Sequence, residues 1–250
     1  MLRSGGRPGA SGAGASAWSR YRALAAENRR ERVVVRAVLS LGAGVVAAGL
    51  SMWWAGIAVA VGAFAGHTVY ERVRPSPVTN WRRGAVAERR TGRRLAALDP
   101  AGFHVLHDRA LPGTPVTNLD HLVVGLTGVY AIASRRWRRG VRLWTEGDQV
   151  WAGRGPAGNV RASAARAAAI VAELLGGELD YKIGVEAMVS VHGARPPRGG
   201  LRFGIGDDAV EFQPARALPR VISGRPVVIT SAQVATIAAA AERALPPMIE

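Results

Sequence analysis

The chain has 250 residues, a formal net charge of +15 and no cysteine. Of its 33 basic residues all but Lys182 are arginine. Lack of cysteine excludes disulfides and thiolate metal centres and fits an intracellular compartment, while the positive excess points to phosphate-rich partners, nucleic acid or an anionic membrane face.

Residues 1–18 are Gly, Ser, Ala and Arg with almost nothing to bury, which predicts a disordered basic tail. Residues 19–36 are helix-prone and basic, a juxtamembrane helix. From Ala37 to Gly66 no residue is charged, a run too long for the core of a signal peptide. A spanning helix needs ~20 apolar residues, so segment 37–70 holds either one long span or two short ones. Arg29, Arg30, Arg32 and Arg36 precede it, and Arg72, Arg74, Arg82 and Arg83 follow. Arginines stay on the cytoplasmic side, so both flanks want the same side. The expectation is a transmembrane helical hairpin in the cell membrane, with two spans and a soluble domain facing the cytoplasm. It turns at Ser51–Gly56, where Trp53 and Trp54 suit the far interface. Gly42, Gly44, Gly49, Gly56, Gly62 and Gly66 allow close helix packing. The rival, a buried core helix of a soluble protein, is disfavoured by the length and uniform lack of charge.

Residues 71–80 read as a linker, because Pro75 and Pro77 interrupt helix, and residues 81–250 as a mixed soluble domain. Val86, Leu95 and Leu98 recur at helical spacing up to Asp99-Pro100. Apolar runs at 103–108, 121–126 and 129–133 predict three strands, the last two joined by a tight turn at Gly125–Gly128. A hairpin turning at Glu146-Gly147-Asp148 follows, then a helix capped by Asn159 and ended by Gly176 or Gly177. The run 185–193 predicts a long strand and 201–214 another hairpin. The final helix opens with a Thr230–Gln233 capping box and buries Val234, Ile237 and Leu245.

The order helix, three strands, helix, strand carries Glu88 on the first helix, Asp120 at the start of the second strand, and the third strand "GVYAIASRRWRRG". Together with "WRRGAVAERRTGRRL" (81–95), "GFHVLHDRALPG" (102–113), "NLDHLVVGLTGVYAI" (118–132) and "VSVHGA" (189–194), this layout resembles the NERD (nuclease-related domain) family. The resemblance implies an α/β fold with a restriction-endonuclease-like core, α-β-β-β-α-β, of the PD-(D/E)XK type. It implies metal-dependent hydrolysis of nucleic acid, with carboxylates on neighbouring elements holding Mg²⁺ and a lysine beside the attacking water. Glu88 matches the family's helix glutamate and Asp120 its strand aspartate. Where the family pattern reads I-D-x-K-x-W, this chain has Ile132-Ala133-Ser134-Arg135-Arg136-Trp137. Ala133 replaces the acid and Arg135 the lysine. Arginine keeps a charge near phosphate, yet its pKa of roughly 12 or more disqualifies it as a proton acceptor, and loss of a central ligand removes much of what the metal supplies.

These residues imply a vestigial site of Glu88, Asp120 and Arg135, with Glu88 and Asp120 as the remaining metal ligands. Arg89, Arg135, Arg136, Trp137 and Arg138 are the expected nucleic-acid contacts, for DNA or RNA. No cofactor is expected unless hydrolysis survives, in which case Mg²⁺ is. The first rival is a working nuclease in which a displaced acid completes the set; the second is a structural module at the membrane that binds a protein partner. His104 and His107 read as structural and His121 as a rim residue beside Asp120. Glu146, Asp148, Asp207 and Asp208 read as acids at hairpin tips.

Overall fold

Val, Ile, Leu and Tyr crowd residues 119–132, and alternation sends them to both faces of a sheet covered on each side, which is why these strands lack a polar face. In the computed structural model, which describes residues 12–27, 29–73, 77–112 and 118–248, β1 (His104–Ala110), β2 (Asn118–Gly125) and β3 (Gly128–Arg136) form an antiparallel meander. The β2–β3 turn closes on Gly125 opposite Gly128, as expected. Before it comes α4 (Pro77–Leu95) with a 3₁₀ turn over Ala96–Ala101. After it come β4 (Leu143–Glu146), β5 (Gln149–Ala152) and β6 (Gly155–Pro156), a separate three-stranded sheet.

Helix α5 (Gly158–Leu179) then crosses over to β7 (Val185–His192), which pairs parallel to β3. Its inward residues are mostly alanine, Ala164, Ala165, Ala167 and Ala168, good helix formers that let the backbone lie close to the sheet. β8 (Leu201–Phe203) and β9 (Val210–Pro214) complete a six-stranded mixed sheet in the order β1-β2-β3-β7-β9-β8. The helices α6 (Leu218–Ser223) and α7 (Ser231–Ala244) close the domain. One face buries Leu122, Val124, Val129 and Val189 with α5 and α7 residues; the other buries Tyr130, Ile132 and Met188 with Leu95, Leu98 and Leu218. The order α4-β1-β2-β3-α5-β7 is the expected α-β-β-β-α-β, in a mixed α/β fold.

Three local expectations change. The first concerns the linker: α3 (Trp53–Val73) runs past residue 71 and α4 starts at Pro77, since a proline in the first helical turn gives up no needed hydrogen bond. Of that linker, residues 74–76 lie outside the described residues. The second is α5, which begins at Gly158 after Ala157 and passes Gly176 and Gly177 to end at Asp180, in the left-handed region at φ 56°. The third is the tail: residues 1–11 lie outside the described residues, but helix α1 (Ala15–Glu27) starts within it, and Ser16 and Ala17 are buried.

The chain divides into two compact units, residues 1–17 with 83–250, and residues 18–82. In the second, α2 (Arg29–Leu50) and α3 turn at Ser51-Met52. They meet through glycine: a Cβ on Gly44 would lie 2.9 Å from the Gly56 carbonyl oxygen, and one on Gly56 would lie 2.6 Å from that of Gly44. Val38, Leu41, Val45, Leu50, Ile57 and Val61 are exposed. Within α2, the 18 residues Val33–Leu50 are long and apolar enough to cross a membrane.

Candidate functional site

The β1–β2 ladder pairs His107 with His121 and Arg109 with Leu119. The same register sets Asp108 opposite Asp120, yet Asp108 is turned to φ 50° and that rung of the ladder is missing. On its other side β2 pairs with β3 from His121 and Ile132 onward, and beyond that rung the carboxylate of Asp120 takes the place of a ladder partner: its Oδ2 accepts from the Ser134 backbone N–H at 2.6 Å and from Arg135 Nη1 at 3.3 Å. The structure thus brings together Glu88, Asp120 and Arg135 from α4, β2 and β3. It adds Asp108, close enough to both acids to raise their pKa. Neighbouring "HD" on β1 and "DH" on β2 was the sign of it in the sequence, legible only once the register is known.

Each acid already has an environment. Burial, then the charges of Asp120 and Asp108, push the Glu88 carboxyl up to about 9, so it is neutral at physiological pH; its Oε2 is buried without a hydrogen-bond partner. Burial also lifts Asp120, in spite of Arg135 and the Ser134 N–H. Asp108 is fully buried, and its carboxylate accepts from the Ser16 N–H at 2.7 Å, the Ser16 hydroxyl at 2.6 Å and Asn118 Nδ2 at 3.0 Å. Ser16 is the second residue of α1, so Asp108 caps that helix from another element. Beside it, Gly14 (φ 67°) lies over Glu88, 3.2 Å separating a would-be Cβ from Oε2.

A hollow of about 230 Å³ adjoins Asp120, lined by Asn118, Ala131, Ala133, Arg135 and the α5 residues Ser163, Ala164 and Ala167. Ala133 leaves room there but contributes no ligand atom. The donors present do not fit Mg²⁺, which wants oxygens in near-octahedral array. The Oδ2 of Asp120 and the carboxylate of Asp108 are engaged by donors, and Glu88 is protonated. Among the described residues no three His, Asp or Glu side chains are grouped to hold a metal ion.

Alternation on β3 separates the arginines. Arg135 lies opposite Val191, which packs on the α5 face, and Arg136 lies opposite His192, so the two point to opposite faces of the sheet. Trp137 packs against the α5-face core, as a structural tryptophan does, while Arg89 and Arg138 are exposed. On the α4 face a chain of polar groups runs through the interior. His107 Nδ1 and His121 Nδ1 are 2.8 Å apart, and His121 Nε2 lies 3.2 Å from the Ser134 hydroxyl. That hydroxyl donates to Thr91 Oγ1 at 2.9 Å, and Thr91 bonds Ser190 at 2.8 Å and His192 Nε2 at 2.9 Å. Burial holds all three imidazoles below their usual pKa. His107 and His121 therefore serve the interior, and His104 is exposed.

No curated protein and no solved structure matches the chain. The family model described as nuclease-related domain (NERD) matches residues 83–192, a span that begins within α4, contains Glu88, Asp108, Asp120 and the whole of β1–β3, and ends at His192. Residues 83–192 thus match the nuclease-related domain family, with which a restriction-endonuclease-like core is consistent.

Proposed function

We propose that the protein is a membrane-anchored, cytoplasm-facing nuclease-related domain whose hydrolytic site is impaired and whose basic surface binds nucleic acid. The observation that carries this reading is the fate of Asp120, whose carboxylate is occupied by Ser134 and by Arg135, the residue standing where the family has lysine. An acid held in an ion pair with the residue that should activate water has become structural. Neutral Glu88, buried under Gly14, points the same way.

The anchor reading rests on the apolar exposed surface of α2 and α3 and on the arginines that flank both. Two spans are proposed rather than one because the close contact at Gly44 and Gly56 pairs the helices along their length.

The test is a Mg²⁺ or Mn²⁺ cleavage assay on the full chain in detergent, with DNA and RNA substrates and Asp120→Ala as control. The expected result is salt-dependent binding without turnover. Cleavage that Asp120→Ala abolishes would overturn the impaired site. Absence of any binding would favour the protein-interaction module.

A further inference from the structure

His192, at the end of β7, is half-buried on the α4 face. Thr91 of α4 holds its Nε2 at 2.9 Å, and Arg136 of β3 stands opposite it in the ladder. Arg90 and Arg94 flank Thr91 one residue before and three after, so both lie at the same spot. The positive charges that reach His192 are those of Arg90, Arg136 and Arg94, and Arg136 in turn feels Arg90, Arg83 and Arg139. His121 from β2 and Ser190 from β7 are the other polar neighbours. Among the described residues, Arg83, Arg90, Arg94, Arg136 and Arg139 enter no ion pair.

Three guanidinium groups around one imidazole, with Arg83 and Arg139 beside Arg136 and no acid paired to any of the five, repel one another until an anion arrives. Their layout specifies its shape. Arg83, Arg90 and Arg94 are separated by seven and then four residues, which puts them on one helix face along about 16 Å at 1.5 Å per residue. Arg136 and Arg139 form the other side. The gap between two rails suits a linear polyanion better than a flat leaflet, which would meet exposed cations in a plane. The imidazole, held down to about 4 by burial and then by Arg90, Arg136 and Arg94, is uncharged at physiological pH and still able to hydrogen-bond.

We propose that Arg83, Arg90 and Arg94 on α4, facing Arg136 and Arg139 across His192, form a phosphate track for a single nucleic-acid strand. This rests on the nucleic-acid reading above and relocates the contact: the track lies on the sheet face opposite Asp120 and Arg135, and needs neither.

The experiment measures binding of a fluorescent 20-nucleotide single-stranded DNA by the full chain in detergent, by anisotropy across a salt series. The variants are Arg90→Ala/Arg136→Ala, Arg135→Ala, and the charge-matched control Arg216→Ala/Arg220→Ala, whose side chains are exposed elsewhere. Loss of two phosphate contacts is expected to weaken binding roughly tenfold or more and to lower the slope of log K against log salt by about 1.4. The control pair and Arg135→Ala should each stay within about twofold. An equal loss in the control pair would reduce the effect to net charge and overturn the track. Binding that depends on Arg135 and not on the Arg90/Arg136 pair would overturn the track while leaving the nucleic-acid reading standing, and no binding by the parent protein would sink both. Unchanged melting temperatures confirm that the variants are folded.

Discussion

Glu88 is a carboxyl that burial and its acidic neighbours keep protonated, and its pH behaviour follows from that. Its folded pKa of about 9 lies above the ordinary glutamate value of 4.5, so between these values the folded chain keeps a proton that the unfolded chain releases. Linkage then makes its contribution to stability greatest below about pH 4.5 and lost progressively as pH rises to 9. Glu88→Gln removes the titration. It should raise the melting temperature by on the order of 10 °C at pH 8.5, since four pH units above 4.5 are worth about 1.4 kcal/mol each and a kcal/mol is worth roughly 2–4 °C at this chain length, and change little at pH 5. Parallel pH profiles for parent and variant would show that Glu88 is ionised in the fold. Protonation of Glu88 and the Arg135 guanidinium beside Asp120 lower the negative charge of this acid cluster.

The start of α1 behaves as part of the nuclease-related domain. Ser16 donates twice to Asp108, and Gly14 covers Glu88. Gly14 needs its left-handed φ of 67°, and a side chain there would press on the Ala85 carbonyl oxygen at 3.0 Å. Ser16→Ala deletes a hydrogen bond to a buried carboxylate, which costs about 1–3 kcal/mol. The resulting drop in stability should come with faster amide hydrogen exchange in residues 84–92, because the segment protecting that turn of α4 is loosened. Exchange there equal to that of the parent protein would mean that residues 12–17 do not cover the site in solution. The same contact explains why a Gly/Ser/Ala stretch has buried residues: small side chains and a free N–H at a helix start are what a crowded acidic pocket accepts.

For the whole molecule the proposed anchor makes a topological prediction. The two-span hairpin puts both ends of the chain on the cytoplasmic side, whereas a single span puts them on opposite sides. Reporters active only in the cytoplasm, fused separately before Met1 and after Glu250, are expected to work at both ends. Activity at one end alone would establish a single span. Among the described residues the segment long and apolar enough to cross a membrane lies in α2, and α3 carries no charged residue from Trp53 to Tyr70.

How much of this was legible in residue order depends on the range of the interaction involved. The uncharged run from Ala37 to Gly66, the Gly-Leu-Thr-Gly hairpin, the Thr230–Gln233 cap and the helix–strand order were all readable, because periodicity, turn chemistry and capping act over a few residues. Glu88, Asp120 and Arg135 were chosen through family resemblance, and Ala133 marked the departure from it. Asp108 was missed because its importance comes from the β1–β2 register and a broken rung, and the register of a sheet is a property of paired strands. The division of Arg135 from Arg136 was hidden for the same reason: adjacent in sequence, they point to opposite faces once β3 is paired to β7. The sequence by itself determined the apolar segment, the class of fold and the missing acid. The tertiary structure alone decided the charge state of Glu88 and Asp120, since burial and the approach of Asp108 and Arg135 from distant positions in the chain set it.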